Sequence, residues 1–385
     1  MVGSRKHRLV VGGIVVLVGL VAAAVFVAGR GQGPPPAATP IPATTSPSPT
    51  TTTLMTAPLT GLPITPGMSI NHPAVAIKIS DVRQAHPQIG VDKADIVFTE
   101  PIGVAYTRLL AVFHSQLPSL VGPVRSVRPP DAPLLSPLEP VFGNTMGAPW
   151  VVSYVDSVGR LDDLGTLRVP GSDAYVLNRS RPRPDHVFVK PRTLMGLSKL
   201  TEPPAPYFSY AADLSSASAS SAVGAGSSAV VPYGAGFNMT WTYDAVRKRY
   251  LRSEPWGAHT TVDGIRVSAT NVLVLKVSSS VGKIGTGSGA PVPILALTNG
   301  SGQFVALAGG HSVAGTWAKG PVTDTFVLRT DSGQALFLAP GNTWVEMPGA
   351  AATGDDPLSL RPADANGPAR RARSLFGSVT HGEQL

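Results

Sequence analysis

The chain has 385 residues, enough for two or three domains, with 43% hydrophobic and only 14% charged residues. Its 41 glycines and 38 prolines assign a large share to loops and linkers, and the absence of cysteine excludes disulfides, thiolate nucleophiles, iron–sulfur clusters and cysteine zinc sites. The net charge of +8 is concentrated at the two ends, in Arg5, Lys6, Arg8 and Arg30 and in Arg361, Arg370, Arg371 and Arg373. The nearly neutral body between them has no basic stripe with interleaved aromatics, which argues against nucleic acid as a partner.

Residues 1–8 form a basic stub, and the uncharged apolar run 9–29 is long enough to span a bilayer. The positive flank predicts a cytoplasmic N-terminus and a body on the extracytoplasmic side of the cell membrane, held by a single pass. The competing reading is a cleaved signal peptide with Ala22-Ala23-Ala24 at the cut, although the apolar run continues beyond it. Residues 30–57, rich in Pro, Thr and Ser, read as a disordered spacer, and their composition would suit O-glycosylation.

From residue 58 the pattern is that of a folded body. Val75–Ser80 alternates as a strand, with Lys78 expected to face solvent or a ligand. Asp95–Thr99 and Thr107–Phe113 read as the arms of a hairpin, with Glu100 closing the first and Arg108 opening the second. A third run, Leu120–Val124, ends at Arg125. Laid antiparallel beside the second arm, it would gather Arg108, Arg125 and Arg128 around Glu100 at one sheet end. Guanidinium forks in such a set suit carboxylate, phosphate or sugar-acid ligands. The same set would equally serve as an ion-pair brace pinning the hairpin.

Pro133–Leu138, Val151–Leu164 and Pro191–Leu200 read as short helices, and Ala174–Leu177 as a strand leading to Asn178 and Arg179. Residues 211–230 are Ala/Ser-rich and read as a connector or exposed insertion. From Val231 short strands alternate with turns at Met239–Tyr243, Arg249–Arg252, Asn271–Val277, Ile294–Leu297, Phe304–Ala308, Thr325–Leu328, Ala335–Leu338 and Thr343–Met347. Residues 348–385 read as a disordered tail. The fold class is therefore α+β: a mixed α/β N-terminal domain over 58–210, then a β-rich C-terminal domain over 231–347.

Other chemistry is sparse. The histidines show no i, i+4 pair, so neither a metal site nor a cofactor is expected. Asp185 and His186 are adjacent, and on an extended segment they would point to opposite faces rather than form a dyad. Gly285-Thr-Gly287-Ser-Gly289 lacks the spacing of a nucleotide loop, and Gly310-His311-Ser312-Val313-Ala314 lacks the last glycine of a nucleophile elbow; both read as hairpin turns. Trp317 and Trp344 would stack on sugars or, as strand-end tryptophans, pack in the core.

Several strings together resemble the YerB-like lipoprotein family, domain of unknown function 3048. They are Pro58-Leu-Thr-Gly-Leu-Pro63, Ala94-Asp95-Ile-Val97 with Glu100, Thr107-Arg108, and Gly122-Pro123-Val-Arg125-Ser126 with Arg128. Asp185-His186, Tyr250-Leu-Arg252, Gly315-Thr316-Trp317 and Pro340-Gly341-Asn-Thr343-Trp344 extend the likeness through the second half. The resemblance implies an envelope protein with N- and C-terminal conserved regions and no assigned reaction. This chain departs from the family in its hairpin turn, in the residue after His186, and in lacking the lipid-acceptor cysteine, whose place the apolar N-terminal run would take.

The candidate ligand-binding residues are Glu100, Arg108, Arg125, Ser126, Arg128, Asn178, Arg179, Asp185 and His186. The preferred expectation is a membrane-anchored protein binding an anionic or carbohydrate cell-wall polymer, or an envelope protein. One alternative is an envelope hydrolase or transferase with Glu100 or His186 as general acid/base; another is a structural or protein-interaction module.

Overall fold

The structure is a computed structural model that describes residues 55–103, 106–234, 236–349 and 359–361. The expected stub 1–8, the expected anchor 9–29, nearly all of the expected spacer 30–57, the middle of the hairpin turn and most of the expected tail 348–385 lie outside the described residues. Among the described residues, no helix is long and apolar enough to cross a membrane.

The fold is β-rich. The N-terminal half carries β1 (Val75–Ser80), β2 (Ile96–Gly103), β3 (Tyr106–Phe113), β4 (Val141–Gly143), β5 (Asp162–Asp163), β6 (Tyr175–Leu177) and β7 (Val187–Val189). Its helices are short: α1 (Asp131–Leu135), α2 (Pro149–Val158) and α3 (Pro191–Met195). The C-terminal half adds β8 (Gly224–Ala225), β9 (Ser228–Pro232), β10 (Asn238–Asp244), β11 (Arg249–Glu254), β12 (Gly257–Ala258), β13 (Ser268–Ala269) and β14 (Asn271–Leu275). It continues with β15 (Ser279–Gly282), β16 (Val292–Leu295), β17 (Gly300–Ala308), β18 (His311–Lys319), β19 (Val327–Thr330), β20 (Thr343–Glu346) and β21 (Ser359–Arg361).

An eleven-stranded sheet runs β19-β18-β17-β14-β20-β2-β3-β1-β4-β5, with β8 beside β18. β20 lies parallel to both β14 and β2, so strands from the two halves share one sheet. β1, β14 and β20 are buried along their whole length. Full burial follows from cover on both faces. On one face Phe98, Leu110 and Val345 pack against α1 and α2 through Leu134, Leu135, Trp150 and Val151. On the other, Val97, Leu109 and Trp344 pack against Val231, Met239, Trp241 and Tyr250 of the sheet β12-β11-β10-β9-β21. Each fully buried Leu or Phe in these layers contributes roughly 1.5–3 kcal/mol.

Several elements differ from their sequence expectations. The predicted helix Val151–Leu164 ends at Val158, because Gly159 turns extended and Asp162–Asp163 then joins the sheet edge. The predicted helix Pro191–Leu200 closes after Met195. Ala335–Leu338 contributes only isolated bridges, through Ala335 and Leu338. His311–Lys319 is a full strand whose turn is Gly309-Gly310, both at positive φ. Within 211–230, Ala217 and Ala219 are buried against Ala308 and Ala339. Trp317 and Trp344 are core residues, each 1% exposed.

Candidate functional site

Strand alternation sorts the polar residues at one end of the sheet. β2 and β3 pair antiparallel with Glu100 opposite Arg108, and β1 lies beyond β3 with Ser80 opposite Arg108. Glu100, Arg108 and Lys78 share the face covered by the helices. Thr99, Thr107 and Glu346 share the opposite face, beneath the second sheet. Two buried ion networks result, one on each face.

On the helix face, Lys78 Nζ lies 2.6 Å from Glu100 Oε2 and 2.6 Å from Asp131 Oδ1, with all three side chains fully buried. Alternation had predicted that Lys78 faces solvent or a ligand; instead it is buried, because cover on both faces removes the solvent side. Asp131, the first residue of α1, also accepts the Arg128 backbone N–H at 2.6 Å. The third run, Leu120–Val124, sits beside β1 rather than β3: Val124 bridges Ile79, and Arg125 N–H donates to Lys78 O at 2.8 Å. This still brings the arginines together. Arg108 Nη1 donates to Ser126 O at 2.9 Å, and Arg128 Nη1 to Val127 O at 2.9 Å. Arg125 Nε stands 3.3 Å from Asp185 Oδ1.

The arginines sense one another. Burial, then the charges of Arg128 and Arg125, lowers the Arg108 pKa well below its usual value. Arg128 is lowered by burial, with Asp131 and Glu100 opposing. Glu100 is pushed up to about 8, by burial first and Asp131 second, against the pull of Lys78. The Nε atoms of Arg108, Arg125 and Arg128, both oxygens of Asp185, His186 Nδ1 and Glu100 Oε1 are buried without a hydrogen-bond partner among the described residues. The acid count is thus three, not the lone Glu100 expected, and Lys78 is a fourth cation.

Asn178 and Arg179 stand apart from this set. Asn178 pairs through its backbone with His186 O, and its Oδ1 accepts from Ser180 N and Oγ. Arg179 is exposed. Among the described residues, no hydrogen bond or ion pair joins either side chain to the arginines. Ser126 offers its carbonyl to Arg108, while its hydroxyl is 3.5 Å from Thr145 Oγ1.

The second network, on the opposite face, was not read from sequence. Arg252, fully buried, donates to Asp81 Oδ2 at 2.9 Å and Glu254 Oε1 at 2.7 Å, and its guanidinium lies over Trp344 at 4.9 Å. Glu346 accepts from Tyr233 Oη at 2.6 Å and Trp241 Nε1 at 2.9 Å. Thr107 Oγ1 donates to Asp81 Oδ2 at 2.7 Å. The i, i+2 spacing of Arg252 and Glu254 in a strand was a usable signal, since it puts both on one face. Their partner Asp81 is 171 residues from Arg252, which no local pattern reveals. His86, Glu254 and His259 bring possible ligand atoms within 4.8 Å of one another.

Comparison with known proteins places these networks in a family context. Residues 59–202 match the family model described as "Protein of unknown function (DUF3048) N-terminal domain". Residues 229–345 match the corresponding C-terminal domain. "Putative lipoprotein YerB" of Bacillus subtilis (strain 168) is 34% identical over 128 residues, covering 33% of this chain and 38% of that protein. The chain thus matches well under two thirds of that relative's length. The crystal structure of YerB from Bacillus subtilis superposes with a TM-score of 0.67 at 24% identity, covering 80% of this chain and 99% of the other, a likeness of fold.

Proposed function

The chain belongs to the YerB-like family of proteins of unknown function (DUF3048), and from that premise we propose that it is an extracytoplasmic binding protein for an anionic cell-envelope ligand. Arg108, Arg125 and Arg128 supply the contacts. Membrane association is supported by the relative's description as a lipoprotein; here the apolar run 9–29 would serve as the single-pass anchor.

One observation carries the binding reading. Arg108 is only 5% exposed, yet among the described residues its Nη1 alone meets a protein acceptor, and its Nε is buried without one. Glu100, its cross-strand neighbour, is held by Lys78 and makes no hydrogen bond or ion pair to it among the described residues. A buried guanidinium with unmatched donors, crowded by two more, has a standing demand for an anion, which carboxylate or phosphate oxygens meet bidentately. Wall polymers bearing uronic acid, lactyl carboxylate or phosphodiester groups carry that chemistry.

Titration calorimetry of the full chain in detergent micelles tests this against a phosphodiester oligomer, a carboxylated muropeptide and a neutral oligosaccharide. Binding should be confined to the anionic ligands, weaken with salt and fall in Arg128→Ala with little change in melting temperature. A lower melting temperature in that variant with no ligand bound by the wild type would make the arginines an internal brace. Glu100 favours a second reading, hydrolysis or transfer with Glu100 as general acid. Burial and Asp131 push its carboxyl up to about 8, towards the protonated form a general acid needs, and Oε1 is unpartnered among the described residues. Turnover of the same ligands, lost in Glu100→Gln, would establish it; absence of turnover leaves binding.

A further inference from the structure

The opposite face of the sheet carries a second grouping that the anion site does not use. Asp81 lies just past β1, His86 follows the 3-10 turn Arg83–Ala85, and Glu254 ends β11. His86 Nε2 is 3.3 Å from Asp81 Oδ1 and 3.2 Å from Glu254 Oε1. Neither contact is a hydrogen bond: His86 Nε2 is buried without a partner, as is Glu254 Oε2. The ring nitrogen is therefore not aligned on either oxygen.

Those two separations have the length of edges of a coordination sphere. Ligands about 2.0–2.2 Å from a metal stand roughly 3.0–3.4 Å from one another in octahedral or tetrahedral arrangement. Charge points the same way. Asp81, Glu254 and Glu346 are fully buried carboxylates around the single guanidinium of Arg252. With neutral imidazoles and all three carboxylates ionised, as a bound cation would keep them, the set carries two negative charges beyond Arg252, matched by one divalent cation. Arg252 takes Asp81 Oδ2 and Glu254 Oε1, leaving Asp81 Oδ1 with contacts no shorter than 3.3 Å and Glu254 Oε2 free.

We propose that Asp81, His86 and Glu254 form a binding site for one divalent first-row metal ion of the Zn²⁺ or Mn²⁺ class. Mixed carboxylate and imidazole donors without thiolate suit such ions. His259, although close, is not a ligand. Its Nδ1 accepts from Arg252 Nη1 at 2.9 Å and its Nε2 donates to Gln88 Oε1 at 2.7 Å, so both ring nitrogens are engaged. Its role is to fix Arg252. The edge of His86, 11% exposed beside Trp256 at 5.2 Å, is the side from which an ion and a water ligand enter.

The test uses the full chain, free of any histidine tag and dialysed against a chelator. Equilibrium dialysis with elemental analysis should find one equivalent of Zn²⁺ or Mn²⁺. Co²⁺ should give visible absorption of a nitrogen/oxygen site, and the melting temperature should rise with metal concentration. His86→Ala and Glu254→Gln should each weaken binding at least about tenfold, while His311→Ala, an exposed histidine elsewhere, leaves it unchanged. If either site variant folds poorly, the stoichiometry and thermal shift of the wild type decide. Substoichiometric uptake by the wild type, or full uptake in a folded His86→Ala, would overturn the proposal and leave a purely structural ion cluster.

Discussion

Lys78 and Glu100, 22 residues apart in sequence, meet through a 2.6 Å contact with neither side chain exposed, and Asp131 closes on the same ammonium at 2.6 Å. Removing the lysine would leave two buried acidic groups, Glu100 and Asp131, without the cation between them. Lys78→Met should cost about 3–5 kcal/mol in urea denaturation. Adding Glu100→Gln should restore more than about 1 kcal/mol, since the two sites are in direct contact and their effects do not add. Strict additivity would mean that the pair is not coupled.

Asp185 limits the anion site. Its carboxylate is fully buried 3.3 Å from Arg125 Nε, and both oxygens lack a hydrogen-bond donor among the described residues. It neutralises part of the positive field that an anion needs. Asp185→Asn should strengthen anion binding by on the order of 1 kcal/mol, roughly fivefold, in the titration that defines the wild-type affinity. Weaker binding would instead make Asp185 a contact to the ligand's own hydroxyl groups.

Much of this arrangement is legible in the sequence where the cause is local. Alternation delimits β1, β2 and β3, and the hairpin signal aligns Glu100 with Arg108. Sequence reading went astray on Lys78 because alternation tells which residues share a face, not whether that face is covered. α1, with Asp131 at its first turn, covers it. The opposite network was invisible for a different reason. Arg252 reaches both Asp81 and Glu346 only because β20 inserts beside β2 and the second sheet folds over it, pairings made between segments far apart in the chain. Asn178 and Arg179 follow β6 at the start of the β6–β7 connection, where Asn178 Oδ1 accepts from Ser180 N and Oγ and Arg179 is exposed.

Gly122 holds the arginine segment in place. It has φ 149, and a Cβ there would meet Phe188 Cδ1 at 2.9 Å, Val124 N at 3.0 Å and Val187 O at 3.1 Å. Its neighbours are tied on both sides, Val124 N–H to Val187 O and Arg125 N–H to Lys78 O. Gly122→Ala should therefore destabilise by more than about 1 kcal/mol and, by shifting Arg125, weaken anion binding as well. Thermal melting and titration calorimetry on the same variant check both. Unchanged affinity with lowered stability would separate the segment's position from the site.

His114 predicts an acid response. It is buried, its Nε2 donates to Ile70 O at 2.9 Å, and its Nδ1 has no partner. Burial first, then the nearby His72, pushes its pKa down to about 4 from the ordinary 6.5. As pH falls from 6.5 towards 4 the unfolded chain takes up a proton that the folded chain refuses, so folding stability falls over that window. His114→Gln keeps a donor for Ile70 O and removes the titration. Urea denaturation at steps between pH 7 and pH 4 should show the variant less stable than wild type at neutral pH and gaining on it as the pH drops. A difference independent of pH would place the proton on folded and unfolded His114 alike.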